Sequence, residues 1–187
     1  VMSKFSAQRL GDTVFQKIDK VNAELLTLTY GALVVQLLKD HEDVEEVNIQ
    51  LEKMGHSIGL RLIDEFLAKS GISKFSDFKE TAEIIAKVGF KMFLGVNASV
   101  GNWNVEGDSC SLVLEENPLN EFVEVPDEYV HKLWYSNILC GVIRGALEMV
   151  HMQVACSFVK CPLRGDETTE LYLVLKEIML EKAPEDD

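Results

Sequence analysis

DFKETAEIIAKVGFKMFL, residues 77–94, is the stretch that decides how this chain is read. Lys79, Glu83, Lys87 and Lys91 recur every fourth residue, which on a helix makes one narrow polar seam. Phe78, Ala82, Ile84, Ile85, Ala86, Val88, Phe90, Met92 and Phe93 fill most of the remaining circumference. A helix so apolar all round must be covered on several sides. Either a thick core surrounds it or it borders an internal apolar channel. Gly89, set between Val88 and Phe90, leaves a gap that no side chain fills. Apolar cavities of that kind stay dry and accept apolar ligands.

Outward from this helix, two more precede it. Leu26, Tyr30, Leu33 and Leu37 step by four, three and four residues and share one helix face. Val44, Val47, Leu51, Met54, Ile58, Leu62 and Phe66 draw a longer stripe that predicts a helix over residues 44–69. Residues 133–150 repeat the apolar pattern, with Arg144 and Glu148 as an i,i+4 charge pair. Gly55 with Gly59, and Gly141 with Gly145, fall inside these helices. Glycine costs about 1 kcal/mol against alanine in a helix interior, so both pairs imply close approach of another backbone. Packing within the domain and a helix-mediated dimer seam both satisfy that requirement.

Strands follow the helices. Residues 111–114, 122–125, 154–159 and 169–175 are the candidates, with Asn117-Pro118 and Pro162-Leu163-Arg164-Gly165-Asp166 as turns between them. Leu171, Leu173 and Leu175 alternate with Tyr172, Val174 and Lys176, so the outward face of that strand is partly apolar too. Helices first and hairpin-linked strands afterwards indicate an α+β layer fold, not a βαβ sheet. No linker or repeat divides residues 1–187, which read as a single domain. Residues 1–20 read as a loose N-terminal arm and 181–187 as an acidic tail.

The charge balance excludes some functions. Eighteen basic against 31 acidic residues give a formal charge of −13, and no basic cluster offers a surface for nucleic acid or anionic lipid. The longest uncharged runs, Leu25 to Leu38 for example, are too short for a membrane span of roughly 20 apolar residues. The polar opening Val1–Asp12 reads as no secretory leader. Cys110, Cys140, Cys156 and Cys161 therefore read as free thiols in a reducing cytosol.

Catalytic patterns are missing. No phosphate-binding glycine loop, nucleophile elbow or zinc helix occurs, and His41, His56, His131 and His151 lack metal-ligand spacing. His151 with Cys156 and Cys161 is the one grouping that could form a thiol or metal centre. Arg164-Gly165-Asp166 reads as a turn, and the Asn97-Ala98-Ser99 sequon is discounted in a cytosolic chain. The expected sites are thus catalytic none and metal none.

Several blocks together carry a family resemblance. They are Leu28-Thr29-Tyr30-Gly31-Ala32-Leu33-Val34, Met54-Gly55 with Ile58-Gly59 and Arg61-Leu62-Ile63, and Glu65-Phe66-Leu67-Ala68. Glu80-Thr81-Ala82 through Phe90-Lys91-Met92-Phe93-Leu94-Gly95, Glu115 to Pro118, and Gly141 through Met149 complete the set. In this order they resemble the subunit-three family of the transport protein particle, a vesicle-tethering complex. The resemblance implies helices on one side of a twisted antiparallel sheet and helix-mediated dimerisation with related small subunits. It implies a scaffold acting between endoplasmic reticulum and Golgi, peripheral to their membranes, in a particle that promotes nucleotide exchange on a Rab-type GTPase. The C-terminal segment is then a candidate GTPase contact.

The family also holds a fatty acyl chain in a hydrophobic channel, thioester-linked to a cysteine just before the third helix. Here Phe75 stands at that cysteine's position, and a phenyl ring cannot be acylated. Phe75 plugs part of the channel, or the channel persists and holds a free fatty acid. The resemblance makes Phe75, Phe78, Ile85, Gly89 and Phe93 the channel candidates. A ligand-sensing domain of related fold, with the same pocket serving a small molecule, is the alternative reading.

Overall fold

Three helices of this protein begin by the same device. In the computed structural model, which describes residues 4–179, the side chain of Asn22 accepts the amide of Leu25 at 2.8 Å. Asp43 accepts that of Glu45 at 3.0 Å, and Asp77 that of Glu80 at 2.8 Å. Each cap satisfies an otherwise orphaned donor and is worth about 1 kcal/mol. They open α2 (Ala23–Asp40), α3 (Val44–Ser70) and α4 (Phe78–Ile84). Gly71, at φ 69°, ends α3 in a left-handed turn that side chains resist.

The stretch that opened the reading is not one regular helix. Beyond α4 the chain runs through a π-helical turn, Ile85–Gly89, before resuming as α5 (Phe90–Leu94). The amide of Phe90 donates to the carbonyl of Ile85, five residues back.

Four strands form an antiparallel sheet in the order β1-β2-β4-β3: β1 (Ala98–Gly101), β2 (Ser109–Leu114), β3 (Met152–Lys160) and β4 (Thr169–Ile178). Between β2 and β3 lie the short α6 (Asp127–Val130) and α7 (Ile138–Glu148). Helices pack on one side of this sheet, as an α+β fold requires. The register puts Leu112 opposite Leu171 and Cys110 opposite Leu173, with Phe158 and Cys156 beyond them on the same face. Leu112, Leu114, Leu171 and Leu173 are fully buried there, each contributing about 1.5–3 kcal/mol of transfer free energy. The opposite face has its own polar centre. Glu170 accepts from Ser111 at 2.6 Å and Asn102 at 3.1 Å, and pairs with Lys160 at 2.8 Å.

Several sequence expectations are corrected. The loose arm is instead α1 (Lys4–Lys17). Ala7, Leu10, Val14 and Ile18 form a short apolar stripe that packs against Ile63, Phe66, Ile84, Val88 and Met92. Ser6, Gln8, Arg9, Asp12, Thr13, Gln16 and Lys17 surround the stripe, so a composition reading passes over it. The acidic tail 181–187 lies outside the described residues. Residues 122–125 are not a strand, because Phe122 is left-handed at φ 61° and two-thirds exposed. The helix expected from 133 begins only at Ile138. Before it the chain is held in turns by Asn48, whose Oδ1 accepts from the Trp134 amide and whose Nδ2 donates to the Lys132 carbonyl.

The glycine pairs face each other inside the domain, where α3 crosses α7. A Cβ on Gly55 would lie 2.0 Å from the Ile138 carbonyl oxygen, and one on Gly59 2.3 Å from that of Val142. Reciprocally, a Cβ on Gly141 would lie 2.0 Å from the Glu52 oxygen and one on Gly145 2.3 Å from the His56 oxygen. All four glycines are consumed by this crossing, which removes them as a seam between copies. Arg144 and Glu148 do not pair with one another. Arg144 reaches Glu52 at 3.1 Å and Glu148 reaches His56 at 2.7 Å, so two side-chain pairs clasp the crossing from its rim.

Candidate functional site

An apolar cavity of about 340 Å³ lies among α2, α3, the π-turn with α5, and α7. The π-turn shapes one wall. A π-turn accommodates an extra residue per turn, widening the helix locally. Ile85 and Gly89 face the cavity from it, with Ile84 of α4 before them and Phe90 and Phe93 of α5 after. A Cβ built on Gly89 would meet nothing within 4 Å, so that residue opens the wall onto empty space. From α3 come Ile58, Leu62 and Phe66, and from α7 Leu139, Val142 and Ala146. Tyr30 closes one side, its hydroxyl donating to the carbonyl of Tyr135 while the two rings meet edge to face. Leu119 adds to the lining, held by an Asn117–Ser136–Asn120 side-chain network.

Of the channel candidates, Phe75, Ile85, Gly89 and Phe93 line this cavity. Phe75 turns inward and is half-buried, forming part of the wall while the cavity persists. Phe78 does not line it. Asp77 caps α4 immediately before it, and its ring lies buried on the sheet side, edge to face with Trp103 at 5.8 Å. The spacing of three from Phe75 crosses a loop, so helical periodicity does not put the two rings on one face.

No cysteine lines the cavity. Cys110, Cys140 and Cys161 are buried, and Cys156 is half-buried. Burial pushes the Cys110 thiol up to about 12, and raises Cys140 and Cys161 as well. Thiols held in that state are poor nucleophiles. Cys156 interacts with Cys140 and not with Cys161, which faces Asn120. Among the described residues no three His, Cys, Asp or Glu side chains converge to hold a metal. The proposed His151–Cys156–Cys161 grouping therefore does not assemble. Arg164-Gly165-Asp166 is a turn: Asp166 accepts the Cys161 amide at 2.7 Å, and Arg164 lies 3.7 Å over the Trp134 ring.

Sequence reasoning missed the second apolar face of α2. Leu26, Tyr30, Leu33 and Leu37 point inward as expected. Leu25, Leu28 and Val35 line the opposite side and are 65%, 61% and 50% exposed. Their spacing of three and seven was legible, but the inward face alone accounted for a helix.

The fold and cavity define a class: an α+β domain whose helical layer encloses an apolar cavity. The family of transport protein particle (TRAPP) components matches residues 26–174. A trafficking protein particle complex subunit 3 from Dictyostelium discoideum is 64% identical over 94% of this chain and 95% of its own. The Saccharomyces cerevisiae subunit BET3 is 43% identical over 96% and 94%. A crystal structure of subunit 3 from Naegleria fowleri, covalently bound to palmitic acid, is 58% identical with a TM-score of 0.84, covering 87% of this chain and all of that one. The chain belongs to the TRAPP component family, in its subunit-three branch. The phenol-responsive sensory domain of PoxR, 12% identical with a TM-score of 0.53 over 84% of this chain and 76% of its own, shares the fold alone. No helix among the described residues is long and apolar enough to cross a membrane.

Proposed function

We propose that this chain is a non-catalytic scaffold of the transport protein particle, tethering vesicles between endoplasmic reticulum and Golgi. The observation that carries the reading is the exposed apolar stripe of α2. Leu25, Leu28 and Val35 lie on the solvent side of a helix already anchored by its other face. An apolar row of that kind on a rigid helix suits a helix-to-helix seam with a related small subunit. A second copy of the chain would fit the same row. The particle would act peripherally at the membrane and share a surface for nucleotide exchange on a Rab-type GTPase among its subunits.

Leu25→Glu with Leu28→Glu tests this. Pull-down of the variant from cell extract is expected to lose the related small subunits that the parent chain recovers, with unchanged circular dichroism. Recovery of those subunits at parental levels would remove α2 as the seam. A parent chain that recovers none would remove the scaffold reading altogether.

The channel is proposed to hold a fatty acid without a covalent bond. Its apolar lining and persistence beside Phe75 support this, as does the palmitate of the Naegleria relative. Hydroxylamine should release no acyl group from the protein, whereas organic extraction should release a fatty acid. A second reading, a small-molecule sensor, is favoured by the cavity itself. It requires a stoichiometric non-lipid ligand in native mass spectrometry and no partner subunits.

A further inference from the structure

A carboxylate cannot lie inside this channel. Among the lining side chains only Tyr30 carries a heteroatom, and its hydroxyl is already committed to the Tyr135 carbonyl. Burying an unpaired charge there is far too costly for a reversible ligand. A fatty acid must therefore keep its head at an opening, and the structure has one between α2 and α3. Leu26 and Ile58 line the cavity and are also 42% and 43% exposed, so solvent reaches the cavity at this point. A second depression on the outer face of α3 shares Ile58 and Leu62 with the cavity and adds Ser57, Arg61 and Glu65. Arg61 is exposed and makes no hydrogen bond or ion pair among the described residues. The Glu65 carboxylate lies 3.9 Å from the Lys69 amine one turn further on. Ile58, Arg61 and Leu62 occupy one face of α3, and a guanidinium there forms two parallel hydrogen bonds with a carboxylate.

The far end of the cavity offers less. Phe66 lies eight residues along α3 from Ile58, about 12 Å at the helical rise, and that end is lined by apolar side chains, Phe75 and Phe93 among them. Lys74, next to Phe75, is exposed but lines neither the cavity nor the depression beside it, whereas Arg61 lines the depression.

We propose that Arg61 is the head-group site of the channel, binding the carboxylate of a free long-chain fatty acid at the α2–α3 mouth, tail inward toward Phe75. This rests on the reading of the channel as a fatty-acid site, and gives the ligand a fixed polarity and an anionic head. It also makes occupancy reversible, since no bond forms and Arg61 is open to solvent.

The test uses the full chain, freed of lipid, and two fluorescent probes: cis-parinaric acid and its methyl ester. At low salt the acid is expected to bind about fivefold more tightly than the ester, the size of one exposed charge interaction. Arg61→Gln should abolish that preference and leave the ester's affinity unchanged, while Lys74→Gln should leave both probes as they were. Raising the salt should narrow the preference in the parent chain and not in Arg61→Gln. The proposal is overturned if Arg61→Gln retains the preference, if Lys74→Gln removes it, or if the parent binds both probes equally. Failure of both probes to bind would defeat the channel reading itself, and this proposal with it.

Discussion

Replacing Gly55 by alanine probes the α3–α7 crossing directly. In an exposed helix the change would gain about 1 kcal/mol, because alanine is the better helix former. Here the new Cβ would sit 2.0 Å from the Ile138 carbonyl oxygen, 2.9 Å from its carbon and 3.0 Å from the Val142 amide nitrogen. All three atoms are backbone, so no side chain can swing aside. The helices must separate by more than an ångström, loosening the apolar contacts on either side of the crossing. Overpacking of this kind costs about 1–3 kcal/mol, and the backbone character of the clash puts Gly55→Ala at the top of that range. Gly89→Ala is the matched control. Its Cβ meets nothing within 4 Å, so it should be neutral or stabilising by up to about 1 kcal/mol. In urea melts followed by circular dichroism, the two variants should differ by about 3–4 kcal/mol. For a domain of this size, Gly55→Ala should lower Tm by roughly 6–12 °C. A Gly55→Ala variant within about 0.5 kcal/mol of the parent would refute the close-crossing argument.

Two further predictions concern titration and reactivity. The Lys160 ammonium, then the Ser111 hydroxyl, hold the Glu170 carboxyl below its ordinary value of 4.5. A depressed native value stabilises the fold above the unfolded value and is lost as pH falls through the native one. Between pH 6 and pH 3 the parent should therefore lose stability more steeply than Glu170→Gln, and parallel slopes would contradict the network. For the thiols, Cys156 should react first with a disulfide reagent in the native state. Cys110, Cys140 and Cys161 should react only on opening or unfolding; four equal native rates would contradict their burial.

How much was legible in the sequence depends on how many faces an element uses. The long stripe of α3, from Val47 to Phe66, announces its helix because one face does one job. The inward row of α2 was equally plain, yet it concealed Leu25, Leu28 and Val35 on the other side. β1 was unread because Ala98-Ser99-Val100-Gly101 carries little hydrophobicity and is a strand only through pairing with Ser111–Leu114. The π-turn was invisible, since no residue pattern separates an i+5 bond from an i+4 bond. Within the candidate site, Gly89 was found by its lack of a side chain among large neighbours. Phe78 was misassigned because its fate depends on a loop, and Arg61 went unnoticed because a single exposed arginine has no distinctive spacing.

The π-turn also explains why the first helix packs where it does. Gly11 in α1 meets the carbonyl of Lys87, in the middle of the turn, so closely that a Cβ would lie 2.0 Å from that oxygen. The channel wall is thus contacted on its outer side by α1 and left open on its inner side at Gly89. Gly11→Ala should push α1 outward, although Gly11 itself lines no part of the cavity. Ala7 and Val14 would then lose burial against Ile84, Val88 and Met92. The expected cost is about 1–3 kcal/mol, concentrated locally. Hydrogen exchange should rise in residues 84–94 more than in α3 or β4, because only the wall loses its brace. If α1 is a passive cover, exchange will rise in α1 alone and parinaric acid will bind as before. If it braces the wall, exchange in the π-turn will rise and affinity will fall together, although Gly11 is not among the cavity's lining residues.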